Sequence, residues 1–385
     1  MSSHRPRDPK GPKEPEPPGT TPQEPAVEAP RERGRWAPPV IRVVLVDDSP
    51  SVRAVLRRFF ARTPDIEVVA EAADGAKSVD AVLSADPHVV VMDLQMPVMD
   101  GYGAIEQIMA VRPTPIVVLS SRANRNQMQT AFEAMRRGAL EVLPKPEDTP
   151  SWQQLADSLP ETVRGIAEAR TQPQPRPKRK RGADGSERRL PAAPLELRWV
   201  AIAASTGGPA ALRELLEEVP ADAPVGFAVV QHIASGFELG LADWLNKELP
   251  LDVRLARHGE RLRPGSLRLA PGGAHLRLEA GGVLHLDSDS PMRRGHRPSA
   301  DDLFFSCAES CPREVAGVIM TGMGSDGVEG LLALRKAGGL TLAQDEASSI
   351  VFGMPRVALE RGAAEIALPP RGLARALARV WGKKS

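Results

Sequence analysis

Five side chains that could together accept a phosphoryl group follow apolar runs in the first half of the sequence. Asp47 and Asp48 follow the first run, Asp93 ends the third, Ser120 ends the fourth, and Lys145 follows the fifth. Parallel strands end at one edge of a sheet, so these groups are expected to converge there. Crowded carboxylates repel each other unless a cation such as Mg²⁺ lies among them. A carboxylate nucleophile, a metal, a hydroxyl and an ammonium are the groups that phosphoryl acceptance requires.

A second set of side chains could form a serine hydrolase. Ser205 lies at a strand-to-helix turn with Gly207 and Gly208, which allow close approach of the backbone. His232 directly follows the next apolar run, and Asp326 follows a later run within a glycine-rich loop. A serine, a histidine and an aspartate at three ends of parallel strands supply a nucleophile, a general base and a residue that orients the base.

Each set also has a simpler interpretation. A single aspartate at a strand end often caps a helix, and Asp48 before Ser49 could do so. Ser205 could cap the following helix on a structural turn or on a phosphate-binding turn. Catalysis is favoured by the whole set, because only His232 among the seven histidines directly ends a buried strand. We interpret four others as surface or otherwise satisfied residues: His258, His275, His285 and His296.

The elements that must position these residues are two α/β regions. In the first, strands are predicted at 41–46, 89–92 and 116–119. In the second, strands are predicted at 200–204, 227–231 and 315–320, and helices at 209–219, 236–248 and 328–337. Strands that are apolar on both faces and separated by amphipathic helices predict doubly wound parallel sheets. Alternating leucines from Leu267 to Leu286 predict short antiparallel hairpins appended to the second sheet.

The chain divides into four predicted segments. A disordered Pro-rich tail covers residues 1–39, which hold eleven of the 38 prolines. An α/β domain covers 40–168, a flexible basic Pro-rich linker 169–194, and a second α/β domain 195–385. Eight basic and two acidic residues lie within 170–189. This run is either a solvated linker or a basic arm for an acidic partner.

Composition narrows the class of protein. The 385 residues carry a net charge of +1, which argues against a nucleic-acid or membrane-surface protein. Two cysteines cannot form a disulfide framework and indicate a reducing compartment. No apolar run reaches the roughly 18 residues of a membrane span, and no signal peptide is recognisable. We therefore expect a cytoplasmic protein without membrane insertion or nucleic-acid binding.

The first region resembles the receiver domain of two-component response regulators. The matching motifs are Val46-Asp47-Asp48-Ser49, Asp93-Leu94-Gln95-Met96-Pro97-Val98-Met99-Asp100-Gly101, Ser120 and Lys145-Pro146. The resemblance implies a flavodoxin-like fold in which Asp93 is the phospho-acceptor. It also implies Mg²⁺ ligation by Asp47, Asp48 and Asp93, and sensing of the phosphoryl group by Ser120 and Lys145. Val142 stands where many members carry an aromatic switch residue.

Residues 195–382 resemble the catalytic domain of chemotaxis protein-glutamate methylesterases, which also deamidate glutamines. The matching motifs are Ala204-Ser205-Thr206-Gly207-Gly208-Pro209, Gln231-His232, Ala270-Pro271-Gly272-Gly273, Arg297-Pro298-Ser299, Met320-Thr321-Gly322-Met323-Gly324 with Asp326-Gly327, and Gln344-Asp345-Glu346 through Val351-Phe352-Gly353-Met354-Pro355. The resemblance implies a triad of Ser205, His232 and Asp326 with the backbone N–H of Met323 at the oxyanion. It implies no cofactor in the esterase site. Ala203 stands where Gly is usual, which concerns loop shape and removes no catalytic group.

Together the two resemblances imply a phosphorylation-activated esterase of sensory adaptation. Its expected substrates are methyl-accepting chemotaxis receptors, and its expected phosphodonor is a chemotaxis histidine kinase. We expect the unphosphorylated receiver to lie over the Ser205 cleft and to hinder access. The alternative is a response regulator whose output domain is a non-catalytic binding module. A DNA-binding regulator is disfavoured, because no helix-turn-helix or comparable module is present.

Overall fold

The part of the chain that the structure describes contains two large parallel β-sheets. The structure is a computed structural model and describes Met1 and residues 40–120, 125–171 and 196–381, with the backbone alone at 125–130 and 168–171. The predicted tail after Met1 and most of the predicted linker lie outside the described residues. The expected pair of doubly wound α/β sheets is confirmed.

The first sheet has the strand order β2-β1-β3-β4-β5, and all its strands are parallel. Its strands are β1 (Ile41–Val46), β2 (Ile66–Ala72), β3 (Val89–Asp93), β4 (Ile116–Ser120) and β5 (Glu141–Pro144). Its helices are α1 (Pro50–Ala61), α2 (Gly75–Ala85), α3 (Gly101–Val111), α4 (Arg125–Arg136) and α5 (Thr149–Thr171). The strand order reverses between β1 and β3, and a ligand crevice is expected where such strands end. Asp47 follows one of these strands and Asp93 ends the other.

The second sheet has the order β14-β13-β12-β6-β7-β9-β8 and is also parallel throughout. Its strands are β6 (Trp199–Ala204), β7 (Gly226–Gln231), β8 (Asp252–Leu255), β9 (Ser266–Leu269), β12 (Val315–Ile319), β13 (Leu340–Gln344) and β14 (Ile366–Leu368). The two remaining strands, β10 (His275–Glu279) and β11 (Val283–Asp287), pair with each other in a separate antiparallel hairpin. The helices are α6 (Gly208–Leu216), α7 (Phe237–Glu248), α8 (Ala300–Ser310), α9 (Val328–Lys336), α10 (Met354–Glu360) and α11 (Pro370–Trp381). The neighbours β12, β6 and β7 are buried along their whole length.

The leucines at 267 and 269 do not belong to a hairpin, so that part of the hairpin prediction is wrong. They lie in β9, which pairs in parallel with β7 and β8. The pattern Leu-Arg-Leu resembles a strand with one polar face, but Arg268 is buried and forms ion pairs with Asp252 and Glu260. These ion pairs compensate the burial of the Arg268 side chain, so a charged residue can lie in the core.

Local caps explain where the first helices begin. The side chain of Ser49 accepts a hydrogen bond from the N–H of Val52 at the start of α1, so Ser49 rather than Asp48 is the cap. Asp74 and Asp100 cap α2 and α3 in the same way. One first-turn N–H group of each helix is thus satisfied by a side chain, and Asp48 provides none of these caps. No described helix combines the length and the apolar character needed to cross a bilayer.

Candidate active site

The acidic side chains of the first sheet lie together at its carboxyl edge. One oxygen from each of Asp47, Asp48 and Asp93 lies within 4.8 Å of the others. Nζ of Lys145 is 2.7 Å from Oδ2 of Asp47 and 2.5 Å from Oδ2 of Asp93. Ser120 ends β4, and its carbonyl accepts a hydrogen bond of 2.7 Å from the N–H of Lys145. The structure therefore brings all five residues of this predicted set to one place.

Burial and ion pairing oppose each other at this edge. Burial raises the pKa of Asp47, and hydrogen bonds from Lys145 and from the N–H of Ser49 offset only part of that effect. Burial alone would lower the pKa of Lys145, but its hydrogen bonds to Asp47 and Asp93 raise it. Because crowded carboxylates are stabilised by a nearby cation, the buried Asp47 and Asp93 and the exposed Asp48 fit a small divalent ion that prefers oxygen ligands, such as Mg²⁺.

Ser205 and His232 follow neighbouring strands of the second sheet at the same level. Ala204 of β6 pairs with Gln231 of β7, so the residues after them lie side by side, about one strand spacing of ~4.8 Å apart. The side-chain amide of Gln231 donates a hydrogen bond of 2.7 Å to the carbonyl of Ser205 and holds the turn. Among the residues described, no hydrogen bond joins Oγ of Ser205 to the ring of His232.

The two glycines after Ser205 are required by space. Gly207 has a φ of +75° and lies where a β-carbon would be 2.6 Å from Cβ of Ile350. A β-carbon at Gly208 would be 2.0 Å from Oε1 of Gln231. A side chain at either position would displace the turn that presents Ser205, so the Ser-Thr-Gly-Gly sequence follows from the tight packing of this loop.

His232 and Asp326 form a direct pair. Nε2 of His232 donates to Oδ2 of Asp326 at 2.9 Å, and the two side chains are only 10% and 2% exposed. Nδ1 of His232 is buried and has no hydrogen-bond partner among the described residues. Because the carboxylate accepts from Nε2, the nitrogen left with a lone pair is Nδ1. The arrangement thus leaves His232 with an unpaired nitrogen, on a residue that follows the strand next to β6.

Asp326 also caps helix α8. Its Oδ2 accepts from the N–H of Ala300 at 2.7 Å, and its Oδ1 accepts from Oγ of Ser299 at 2.7 Å and from the N–H of Asp301 at 3.2 Å. Burial would raise the pKa of Asp326, but the hydrogen bond and charge of His232 and the bonds from Ser299 and Ala300 hold it well below its usual range. The carboxylate is therefore fixed and charged next to the histidine.

Two residues near Asp326 were not predicted to belong to the site. The ring of His296 lies parallel to the ring of His232, with centroids 3.9 Å apart, although we interpreted His296 as a surface or satisfied residue. Ser299 is completely buried and bonds to Asp326. The motif Arg297-Pro298-Ser299 was the one sequence signal that pointed to the loop of these two residues. The stacking of His296 on His232 could not be predicted, because the two residues are 64 positions apart and no local pattern links them.

The loop after β12 brings Met323 to the same edge. The N–H of Ser205 donates to the carbonyl of Thr321 at 2.9 Å, and a β-carbon on Gly322 would lie 2.5 Å from Cβ of Ser205. The N–H of Gly322 is bonded to the carbonyl of Val351. No hydrogen bond among the described residues uses the N–H of Met323, so this donor is available close to Ser205.

The first sheet contacts this edge through Glu141 of β5, which sequence reasoning missed. Oε2 of Glu141 accepts a hydrogen bond of 3.1 Å from the N–H of Gly207, two residues after Ser205. Burial raises the pKa of Glu141 to about 7, although the N–H groups of Gly207 and Val142 oppose this shift. An acidic residue at the start of a short apolar strand was the available signal, but nothing local identifies its partner.

Aromatic and aliphatic contacts extend this interface. Phe132 of α4 is buried between Phe237 and Trp244 of α7, with ring centroids 6.3 and 6.0 Å away. A β-carbon on Gly165 of α5 would lie 2.9 Å from Cε of Met323, so α5 lies directly against the loop of the predicted oxyanion donor. The face formed by α4, β5 and α5 therefore covers the loops that carry Gly207 and Met323.

Comparisons with known proteins match both halves. A family model described as CheB methylesterase matches residues 200–377, and one described as response regulator receiver domain matches 43–157. A protein-glutamate methylesterase/protein-glutamine glutaminase 2 of Anaeromyxobacter dehalogenans is 44% identical over 88% of this chain and 96% of its own length. One from Symbiobacterium thermophilum is 39% identical over 89% and 98%. The crystal structure of the Thermotoga maritima CheB methylesterase catalytic domain is 35% identical over 48% of this chain and 98% of that one, with a TM-score of 0.46.

Proposed function

The chain belongs to the family of protein-glutamate methylesterases/protein-glutamine glutaminases, and we propose that its Ser205 hydrolyses methyl esters of glutamate side chains in chemotaxis receptors. The observation that carries this assignment of roles is the pair formed by His232 and Asp326 beside the Ser205 turn. The same groups hydrolyse the side-chain amide of glutamine, since both reactions begin with attack on a γ-carbonyl carbon.

In the first step, Nδ1 of His232 takes the proton of Ser205 while Oγ forms a bond to the γ-carbonyl carbon. The N–H of Met323 donates to the oxyanion that develops on the carbonyl oxygen. The imidazolium is stabilised by Asp326, whose carboxylate already accepts from Nε2. When the tetrahedral intermediate collapses, the bond to the methoxy oxygen breaks and Nδ1 returns the proton, so that methanol leaves. With glutamine the leaving group is ammonia.

In the second step, water replaces methanol at His232. Nδ1 takes a proton from the water as its oxygen bonds to the acyl carbon, and the bond to Oγ then breaks as Ser205 regains a proton. The product is a glutamate carboxylate, which adds one negative charge to the receptor. Every proton passes through Nδ1, because Nε2 stays bonded to Asp326 throughout.

The receiver controls this site by phosphorylation of Asp93. A carboxylate oxygen of Asp93 bonds to phosphorus as the bond to the donor breaks, and Lys145 and Ser120 then contact the phosphoryl oxygens. Asp47, Asp48 and Asp93 would hold Mg²⁺, which when bound would neutralise charge on those oxygens. The donor is a chemotaxis histidine kinase in the cytoplasm, where the signalling helices of the receptors also lie.

Control follows from the position of β5. Lys145 adjoins the end of this strand and Glu141 begins it, so a pull on Lys145 moves the strand that bonds to Gly207. In the unphosphorylated protein the face formed by α4, β5 and α5 covers the Ser205 loop and excludes a receptor helix. Phosphorylation shifts the population toward an open arrangement. A change of 1.4 kcal/mol in this equilibrium is worth about tenfold in activity.

The test is methanol release from a methylated receptor by the full chain and by residues 196–385. We expect both proteins to release methanol and the fragment to be about tenfold faster than the unphosphorylated chain. A small phosphodonor should stimulate the full chain alone, and Asp93→Asn should abolish stimulation while leaving the basal rate unchanged. A fragment no faster than the full chain contradicts steric inhibition, and no methanol from either protein contradicts the proposed reaction.

Glu141 makes docking of the receiver dependent on pH. Its pKa is raised from 4.5 to about 7 when it is buried against Gly207. The docked state therefore binds the extra proton, and its stability falls as the pH rises from about 4.5 through 7, by up to about 3 kcal/mol. Glu141→Gln keeps an oxygen for the N–H of Gly207 and removes the charge. We expect it to be more resistant to urea than the wild type at pH 8 and equal to it at pH 4, below both pKa values.

The matched control is Glu67→Gln, which alters an exposed glutamate of β2. It should follow the wild-type dependence of urea midpoint on pH. If Glu141→Gln also follows it, the carboxyl group is not protonated in the docked state and contributes no pH dependence to docking.

A further inference from the structure

The ring of His296 covers one face of the proposed general base. The rings of His296 and His232 are parallel, with an interplanar angle of 0° and centroids 3.9 Å apart. This separation is van der Waals contact between two flat faces, so water cannot lie between them. No hydrogen bond among the described residues holds the ring of His296. Stacking is thus the contact that the structure gives this side chain.

The backbone fixes where the ring of His296 stands. Arg293 and His296 exchange two backbone hydrogen bonds, of 3.1 and 2.9 Å, across a tight turn. The two central residues, Arg294 and Gly295, have φ values of 50° and 83°, the signs that a type I′ turn requires. Three residues after His296, the hydroxyl of Ser299 bonds to Asp326. One short loop therefore touches both members of the base pair.

His232 needs such a contact. Its ring is held by one hydrogen bond, from Nε2 to Asp326, and a single bond leaves the ring free to swing about that contact. Swinging would change the position of Nδ1, which has no partner of its own and is the nitrogen that the proposed reaction uses. A flat ring against one face opposes this motion without using either nitrogen of His232.

The charge of His296 is compatible with this role. Burial lowers the pKa of His296, the neighbouring charge of His232 lowers it further, and Asp326 opposes both effects. A neutral ring can stack on His232 in either of its protonation states without the repulsion of two facing cations. The guanidinium groups of the loop have other partners: Arg293 and Arg294 pair with Asp302 and Asp301, and Arg297 donates to the carbonyls of Ser288 and Ser290.

We propose that His296 is a positioning residue whose flat face holds the imidazole of His232 so that Nδ1 stays directed at Ser205. This inference rests on the proposed esterase reaction and adds a residue to it. The role requires a ring and does not require a nitrogen. Two substitutions separate these properties, because His296→Phe keeps a ring and His296→Asn keeps a polar group.

The test measures kcat and KM for methanol release by both full-length variants. For His296→Asn we expect kcat to fall about tenfold with KM unchanged, since a displaced base weakens the transition state and not substrate binding. For His296→Phe we expect kcat within about threefold of the wild type. His285→Asn is the matched control, because His285 also contacts another histidine ring, that of His258, but lies on the β10–β11 hairpin. It should leave both constants unchanged.

The results that would overturn the role of His296 differ from those that would overturn the proposed esterase reaction. Wild-type kcat in His296→Asn overturns the proposal, and so does a loss in His296→Phe as large as that in His296→Asn. Should His296→Asn not fold, as judged by thermal unfolding, His296→Ala takes its place with the same expectation. Ser205→Ala is measured alongside: if it retains wild-type turnover, the proposed reaction is wrong, whereas its inactivity with a fully active His296→Asn overturns only the role of His296.

Discussion

Ser205→Ala is expected to lower methanol release from methylated receptor by on the order of 10³-fold or more. The substitution removes the oxygen that forms the acyl intermediate in the proposed reaction, and this oxygen belongs to the residue that directly follows β6, the strand paired with β7. Residual turnover would come from the oxyanion donor and from substrate binding alone. The rate constant for methanol release at saturating receptor measures the effect, with the fragment 196–385 used so that control by the receiver does not enter.

The control for this prediction is Ser310→Ala in the same fragment, which alters an exposed serine at the end of α8. Its turnover should equal that of the wild type. Covalent labelling by a serine-directed probe gives a second readout: labelling should disappear in Ser205→Ala and slow strongly in His232→Ala. Undiminished turnover in Ser205→Ala would mean that another group is the nucleophile. Absence of labelling and of turnover in the wild type would favour a non-catalytic binding module.

The positions of the strand ends could be predicted from sequence because they depend on local patterns. Runs of buried aliphatic residues, broken by helical periodicity, place Asp93 and Ser205 at carboxyl ends of parallel strands whatever the remaining contacts are. The strand β9 could not be recognised in the same way. Arg268 gives it the alternation of a one-sided strand, and its burial is compensated by ion pairs with Asp252 and Glu260 and by hydrogen bonds to the carbonyls of Asp252 and Leu267.

The contacts that hold the catalytic side chains in place depend on tertiary structure. His296 lies 64 residues after His232, and Glu141 lies 66 residues before Gly207. Neither contact follows from spacing, since each arises where separate loops or domains pack together. Asp326 shows a mixed case: its place after a strand was predictable, but its position at the N-terminus of α8 was not. The hydrogen bond and charge of His232 lower its pKa most, and the bonds from Ser299 and Ala300 at that helix end lower it further, so its pKa is low despite burial.

The carboxylate of Asp326 is surrounded by donors. Oδ2 accepts from His232 and from the N–H of Ala300, and Oδ1 accepts from the hydroxyl of Ser299 and the N–H of Asp301. An asparagine in its place must direct its NH₂ group at one of these two pairs. If NH₂ faces His232, Nε2 becomes the acceptor and Nδ1 carries the hydrogen, so the base can no longer accept a proton from Ser205. If NH₂ faces Asp301, it meets the backbone N–H of Asp301, and two donors oppose each other. In that orientation the imidazolium of His232 also lacks the negative charge that Asp326 supplies.

Asp326→Asn is therefore expected to lower kcat by on the order of 10³-fold or more, approaching the ~10⁴ loss for the corresponding change in a Ser-His-Asp protease. The unfolding free energy should fall by only about 1–2 kcal/mol, because α8 loses a charged cap but keeps its packing. Methanol release and thermal unfolding measure the two effects separately. The matched control is Asp100→Asn, which exchanges one good cap for another at α3 and should change neither quantity appreciably. If Asp326→Asn retains kcat within about threefold while α8 is destabilised, Asp326 serves as a helix cap and not as the partner of the base.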